Sequence, residues 1–96
     1  MGSTVRIEKL MSLSIREFQH SLRPLVKHTV GDVTDVEIPF ADGHVVIRYE
    51  PRPSVRFGGL LDMPRAIVSL TFKGVEADQQ RTYLRRFDLA FQRGGG

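Results

Sequence analysis

The sequence predicts a single α+β domain over residues 1–96: a small antiparallel meander sheet of three to four strands with two helices, in the order (β)αβββα. Apolar residues alternate at period two through the middle of the chain, as in half-buried strands. They recur at helical spacing near both ends. The length suits one domain. We therefore expect both helices to pack on one face of the sheet.

The first ten residues allow two interpretations. Thr4 to Leu10 alternates polar and apolar side chains, which is typical of a half-buried strand. Met11 equally fits a natural start, which would make residues 1–10 vector-derived or disordered.

A helix is predicted to begin after Ser14. Ser14 and Glu17 have the spacing of a capping box, and Leu13 and Phe18 that of a hydrophobic staple. Pro24 lacks an amide proton and clashes with the preceding turn, so the helix should end or kink near Leu22. The apolar stripe consists of Ile15, Phe18, Leu22, Leu25 and Val26.

Two strands follow, over residues 34–40 and 44–50. Between them, Ala41-Asp42-Gly43 predicts a turn in which Gly43 is free to take a positive φ. Pro39 cannot donate to a ladder, which favours an edge position for the first of these strands.

The next segment predicts an interruption. Pro51-Arg52-Pro53 is expected to break the strand, which can resume over Ser54–Phe57, and Gly58-Gly59 to act as the hinge of an irregular crossover or as a small anion-binding nest. Residues 65–72 then form a third strand with Ile67 on its outer face, a position that indicates cover by the N-terminal segment or by a second subunit.

The last element is predicted to be a helix over residues 78–92. Gly94 stands where a left-handed cap would end it, and residues 94–96 are expected to be a flexible tail. Its apolar face consists of Gln80, Tyr83, Leu84, Phe87, Ala90 and Phe91.

Composition excludes several classes of chemistry. The chain has no cysteine, which rules out disulfides, zinc–thiolate sites and cysteine nucleophiles, and favours a reducing, cytoplasmic setting. It has no apolar stretch of signal-peptide or membrane-span length. Phosphate-binding loops, dinucleotide-binding glycines and nucleophile elbows are missing too, so no cofactor is expected.

Histidines and carboxylates show no spacing typical of a metal site. His20, His28 and His44 are separated by eight and 16 residues, and we interpret them as surface residues. Asp32, Asp35 and Glu37 are interpreted as an acidic face that protects a sheet edge.

Arginine is the strongest positive feature, since eight arginines fall into two groups that could contact phosphate or a partner. For the arginines at 81–93, pairing with Asp78 and Asp88 on the last helix is the simpler interpretation. The groups, at 48–65 and 81–93, are Arg48, Arg52, Arg56 and Arg65, and Arg81, Arg85, Arg86 and Arg93.

Three functions remain open. Leu60, Leu61, Met63 and Ile67 exceed what one small core absorbs, which favours a non-enzymatic protein-binding or assembly domain, expected to be a homodimer. Nucleic-acid or phosphate binding through the arginines is the alternative. The third is an enzyme with a site assembled from distant residues, such as Asp42, His44 and Arg48 near one turn.

Overall fold

The computed structural model describes residues 4–26, 34–59 and 61–95. The order of its elements confirms the predicted α+β fold. The elements are β1 (Thr4–Met11), α1 (Ile15–Leu22), a 3-10 turn (Arg23–Leu25), β2 (Asp35–Phe40), β3 (Gly43–Phe57), β4 (Leu61–Lys73) and α2 (Ala77–Gly95).

The four strands form one antiparallel sheet in the order β1-β4-β3-β2. β2, β3 and β4 make the predicted meander, and β1 adds to the other side of β4 through the pairs Thr4↔Lys73 to Met11↔Ala66. Of the two interpretations of the N-terminal segment, the strand is therefore the one that the structure contains. β1 and β2 are the edge strands, and Pro39 lies on an edge as expected.

The core lies between the sheet and the two helices, which cover the same face. The Phe18 ring of α1 lies 5.2 Å from Tyr49, and the Tyr83 ring of α2 lies 6.0 Å from Phe72. Tyr49 and Phe72 both belong to the alternating buried set of their strands, so both contacts are on one side of the sheet. The largest fully buried side chains are Phe18, Phe72, Phe87, Leu22, Ile47, Leu70, Val45 and Val68.

The capping box at Ser14 is present. The Ser14 hydroxyl accepts from the Glu17 amide at 3.2 Å, and Glu17 Oε1 accepts from the Ser14 amide at 2.8 Å. α1 ends at Leu22, as predicted from Pro24, which lies in the first turn of the 3-10 segment. An amide proton is not needed at that position, so the proline fits there without breaking a bond.

The conformation of the β2–β3 turn differs from the prediction. Ala41, not Gly43, has the positive φ, at 53°. Gly43 is instead the first residue of β3, where a Cβ would collide with the carbonyl oxygen of Lys73 and the backbone of Gly74. Glycine is required at this position by the close approach of two backbones.

β3 runs through Pro51-Arg52-Pro53 to Phe57, so the predicted interruption is wrong, whereas the strand expected over Ser54–Phe57 is present after a register shift between Arg52 and Val55. β2 ends its pairing at Arg48, so the prolines have an open side where a missing amide costs no ladder bond. The irregular crossover is also wrong. Gly58 and Gly59, with φ of 60° and 74°, lie in the turn of a hairpin joining β3 to β4.

Beyond the pair Pro51↔Ala66, the β3–β4 hairpin extends past both edge strands. We call residues 52–59 and 61–65 the arm. The extents of the molecule are 50 × 25 × 20 Å. At the other end of the chain, α2 continues through Gly95, so Gly94 lies within the helix and is not its cap.

Candidate interaction surfaces

The sheet face opposite the helices, which we call the helix-free face, carries both signs of charge. Arg6 Nη2 lies 3.0 Å from Glu8 Oε2, and His44 Nε2 lies 3.9 Å from Glu37 Oε1. Because acidic and basic groups are interleaved, the net field that this face projects is limited.

Two of the predicted apolar interface residues are strongly exposed. Leu61 on the arm is 62% exposed and Met63 is 38% exposed, while Ile67 is half-buried on the helix-free face. Leu60 lies outside the described residues. Leu10, which pairs with Ile67 across the ladder, is 60% exposed and was not among the predicted interface residues. The sequence indicates this exposure only through Lys9, which follows Val5 and Ile7 on the core-facing side of β1, so that Leu10 falls on the outer side.

The register shift in β3 turns the apolar side of the arm toward the helix-free face. Before the shift the core-facing residues of β3 are odd-numbered, but Val55 pairs with Met63, which belongs to the outward set of β4 with Ile67. On the opposite side of the arm, Arg56 Nε lies 3.4 Å from Asp62 Oδ1. Val55 and Met63 therefore face the same side as Leu10 and Ile67, with Arg52 and Arg65 between the two apolar pairs.

The eight candidate arginines do not form one patch. Arg48, Arg52 and Arg65 belong to the helix-free face, and Arg56 lies on the other side of the arm. Arg81, Arg85 and Arg86 are exposed on α2, on the far side of the molecule. The side chain of Arg93 lies outside the described structure.

Arg52 and Arg65 lie directly opposite each other in the ladder between β3 and β4. Like charges in such a pair are destabilising. Within the described part of the chain, no carboxylate lies within 4 Å of either guanidinium. The fold of the arm gives no local reason for this pair, so it is the most distinctive feature among the candidate arginines.

The residues suggested for an assembled catalytic site remain apart along β3. His44 and Arg48 are four residues apart on one strand, a separation of about 13 Å. Asp42 lies in the exposed turn before them. His20 is exposed on α1, and His28 and Asp32 lie outside the described residues. Among the described residues, no three histidines or carboxylates cluster as a metal site would require.

A cavity of about 480 Å³ opens between the 3-10 turn, β2 and α2, and no motif in the sequence indicates it. Its walls come from segments distant in the chain, with Tyr83 43 positions after Phe40, so no local pattern could reveal it. The lining residues are Pro24, Leu25, Val26, Glu37, Ile38, Pro39, Phe40, Tyr83 and Arg86.

Tyr83 is the unusual residue of this cavity. The residue is only 2% exposed, and its hydroxyl has no hydrogen-bond partner among the described residues. Leaving a buried hydroxyl unsatisfied costs about 1–3 kcal/mol. Burial raises the pKa of Tyr83 to about 12, although the positive charge of Arg86 opposes the shift. At neutral pH the phenol is therefore protonated and can donate a hydrogen bond.

Comparison of the chain with protein-family models, curated proteins and solved structures gave no match. Neither of the described helices combines the length and apolar character needed to cross a membrane. We therefore infer function from the surfaces themselves.

Proposed function

We propose that this protein is a small non-enzymatic binding and assembly module that acts through protein–protein contacts and forms a homodimer along β1. The supporting observation is that, among the described residues, β1 pairs with β4 on one side and with no strand on the other. Its other side presents unpaired amide and carbonyl groups, which can pair with a strand of another chain. The absence of cysteine supports placing the module in the cytoplasm.

The two edges of the sheet differ in how well they could accept a strand. β1 has eight residues, contains no proline and pairs with β4 without a register shift. β2 has six residues and contains Pro39, which cannot donate to a ladder. β1 is therefore the better template for association.

The charges of β1 are complementary to a second copy of the same strand. When two copies pair antiparallel about Ile7, Arg6 of one copy lies opposite Glu8 of the other, and the same pair occurs twice. Each copy keeps its helices on the same side of the joined sheet, because core-facing residues oppose core-facing residues. Two copies of one patch in this relation give the isologous contact of a twofold dimer.

Lys9 is the residue on β1 that argues against free pairing, since an inward-facing lysine is a common protection of edge strands. In this protein its Nζ lies 3.1 Å from Asp88 Oδ1 and 5.9 Å from the centre of the Phe87 ring. The charge is held against α2 and leaves the backbone edge open. The Arg6–Glu8 pair within one strand is exposed, so exchanging it for pairs between copies costs little.

Analytical ultracentrifugation across micromolar concentrations tests this proposal. We expect the wild type to sediment as a dimer, and Glu8→Arg to shift it toward monomer because four arginines then meet at the seam. The double variant Arg6→Glu/Glu8→Arg restores opposite charges and should restore the dimer. Glu37→Arg, on the other edge, is the matched control and should not change association. A wild-type species near 10.9 kDa at every concentration would contradict the proposal.

A second candidate function is supported by the Arg52–Arg65 pair: contact of the arm with a nucleic-acid backbone. Two arginines without a nearby carboxylate, on a two-stranded projection, can bind adjacent phosphates and relieve their mutual repulsion. Glu50 and Asp62 lie close in sequence and weaken this field. For this reason we rank nucleic-acid contact below self-association.

Titration of labelled DNA and RNA at about 50 and 200 mM salt separates the two candidates, because each neutralised phosphate adds about −0.9 to the slope of log K against log salt on duplex DNA. If the arm binds phosphate, Arg52→Gln/Arg65→Gln should weaken binding and reduce the slope. Arg81→Gln/Arg85→Gln, on the far side, is the control. Equal loss in both variants would indicate nonspecific attraction, and no binding at low salt would exclude this function.

A further inference from the structure

We propose that the cavity between the 3-10 turn, β2 and α2 binds a small carboxylate with an apolar body, of the kind of a medium-chain fatty acid or an aromatic acid. The site is distinct from both the β1 edge and the arm. Its volume of about 480 Å³ lies in the range of small-molecule sites, about 300–1,000 Å³.

The walls of the cavity suit an apolar ligand body. Leu25 and Val26 line one side, and Ile38 and Phe40 of β2 line another. All four are half-buried, so each has apolar surface left to cover. Burying that surface against a hydrocarbon or an aromatic ring is favourable in proportion to its area.

Tyr83 is the one residue of this lining whose buried hydroxyl has no hydrogen-bond partner among the described residues. Its ring is packed 4.9 Å from Phe40, which also lines the cavity. A protonated phenol needs an acceptor, and a carboxylate oxygen is a strong one. An apolar cavity with a few convergent polar groups is the usual form of a small-molecule site.

Arg86 supplies the charge that selects an anion. Its guanidinium carbon lies 5.6 Å from the centre of the Phe40 ring, and no carboxylate of the described residues lies within 4 Å of it. Glu37 also lines the cavity, but its carboxylate is directed to His44 on the other face of the sheet. The charge complement of the cavity is therefore one guanidinium, which matches one carboxylate.

Isothermal titration calorimetry on the full chain tests the ligand class with matched probes. Decanoate and 3-phenylpropionate carry the acid on an aliphatic and an aromatic body, whereas decanol and decylamine keep the aliphatic body but change the charge. We expect saturable binding of at least one acid, and about tenfold weaker binding of decanol and decylamine. Amide shifts of Ile38, Phe40 and Tyr83 in a heteronuclear NMR spectrum should locate the probe. Equal affinity for acid, alcohol and amine would overturn the proposal.

Two variants separate the roles of the polar groups. Arg86→Gln should weaken acid binding about tenfold and leave decanol binding unchanged, while Arg85→Gln, its exposed neighbour, should change neither. Tyr83→Phe should weaken acid binding and leave the melting temperature of the unliganded protein equal or higher, because it removes an unsatisfied hydroxyl. A large drop in that melting temperature would show that the hydroxyl already has a partner. That result would overturn the proposal. Unchanged affinity for the acid in either variant would overturn it as well.

Discussion

At the scale of single residues, the two tyrosines of the chain differ in their hydrogen bonding. The Tyr49 hydroxyl donates to the Leu13 carbonyl at 3.1 Å and so ties β3 to the residue before the α1 cap. The Tyr83 hydroxyl is equally enclosed, yet it has no partner among the described residues. Burial raises the pKa of both phenols, and the Glu17 carboxylate adds to the shift at Tyr49. Two chemically identical groups thus have different uses.

The stability of the protein should fall at high pH because of Tyr83. Its pKa rises from 10.0 in the unfolded chain to about 12 in the fold, so between these values the folded state holds a proton that the unfolded state has lost. This group leaves the free energy of unfolding independent of pH below pH 10 and lowers it by about 2–3 kcal/mol as pH rises to 12. Denaturant unfolding at several pH values measures it. Tyr83→Phe should lose less free energy of unfolding between pH 10 and 12 than the wild type. The same dependence on pH in both proteins would show that Tyr83 is not the group responsible.

The α1 cap gives a second prediction at this scale. Ser14→Ala removes the hydroxyl that accepts from the Glu17 amide and should lower the free energy of unfolding by roughly 0.5–2 kcal/mol. Ser12→Ala is the control, since Ser12 is exposed and lies before the cap. Chemical denaturation of both variants measures the difference, and equal stability would show that the cap contributes nothing.

At the scale of elements, docking of α2 completes the core. Phe87 is fully buried and stacks on Phe91 with ring centres 4.1 Å apart. The Lys9–Asp88 pair joins the helix to β1, although it is too exposed to contribute much. The helix therefore holds its place mainly through its aromatic face.

Truncation of that face should destabilise the domain strongly. Phe87→Ala should cost about 3–5 kcal/mol, which is enough to unfold many small domains. Leu89→Ala is the matched control on the same helix, because Leu89 is 65% exposed and should change stability little. Thermal unfolding followed by circular dichroism compares them. If Phe87→Ala melts at the wild-type temperature, α2 does not dock as described.

At the scale of the whole molecule, the edge strand β1 and the projecting arm present surface that no other described residue covers. In an antiparallel pairing about Ile7, the two arms would point in opposite directions, since each arm extends from the Met11 end of β1. Such a dimer would present two separate arms, each with Leu61 and Met63 exposed. The assembly role and the binding role would then use different surfaces.

Self-association makes thermal stability depend on protein concentration, because a dimer is favoured over two unfolded chains by mass action. We expect the melting temperature to rise when the wild-type protein is concentrated from micromolar to hundreds of micromolar. Glu8→Arg should melt at a temperature that does not depend on concentration. Differential scanning calorimetry measures both, and a concentration-independent wild type would contradict dimerisation.

The sequence alone determined the elements whose causes are local. The α1 start depends on Ser14 and Glu17, three residues apart, and the buried face of α2 follows from helical spacing. The strand alternation around Ile47 and Val68 also predicted which side chains are buried. In each case the interaction that selects the structure occurs between near neighbours, so a pattern of residues records it.

Only the tertiary structure decided the features that depend on distant segments. Gly43 is required by the approach of Lys73, 30 residues away, and Pro53 is tolerated in β3 because β2 ends short of it. The cavity at Tyr83 likewise needs β2, the 3-10 turn and α2 to meet. Sequence spacing encodes what a residue meets within a few turns of helix or along one strand. The contacts that a residue makes across the sheet depend on strand register and on helix docking. Both are set by interactions between segments that are distant in the chain.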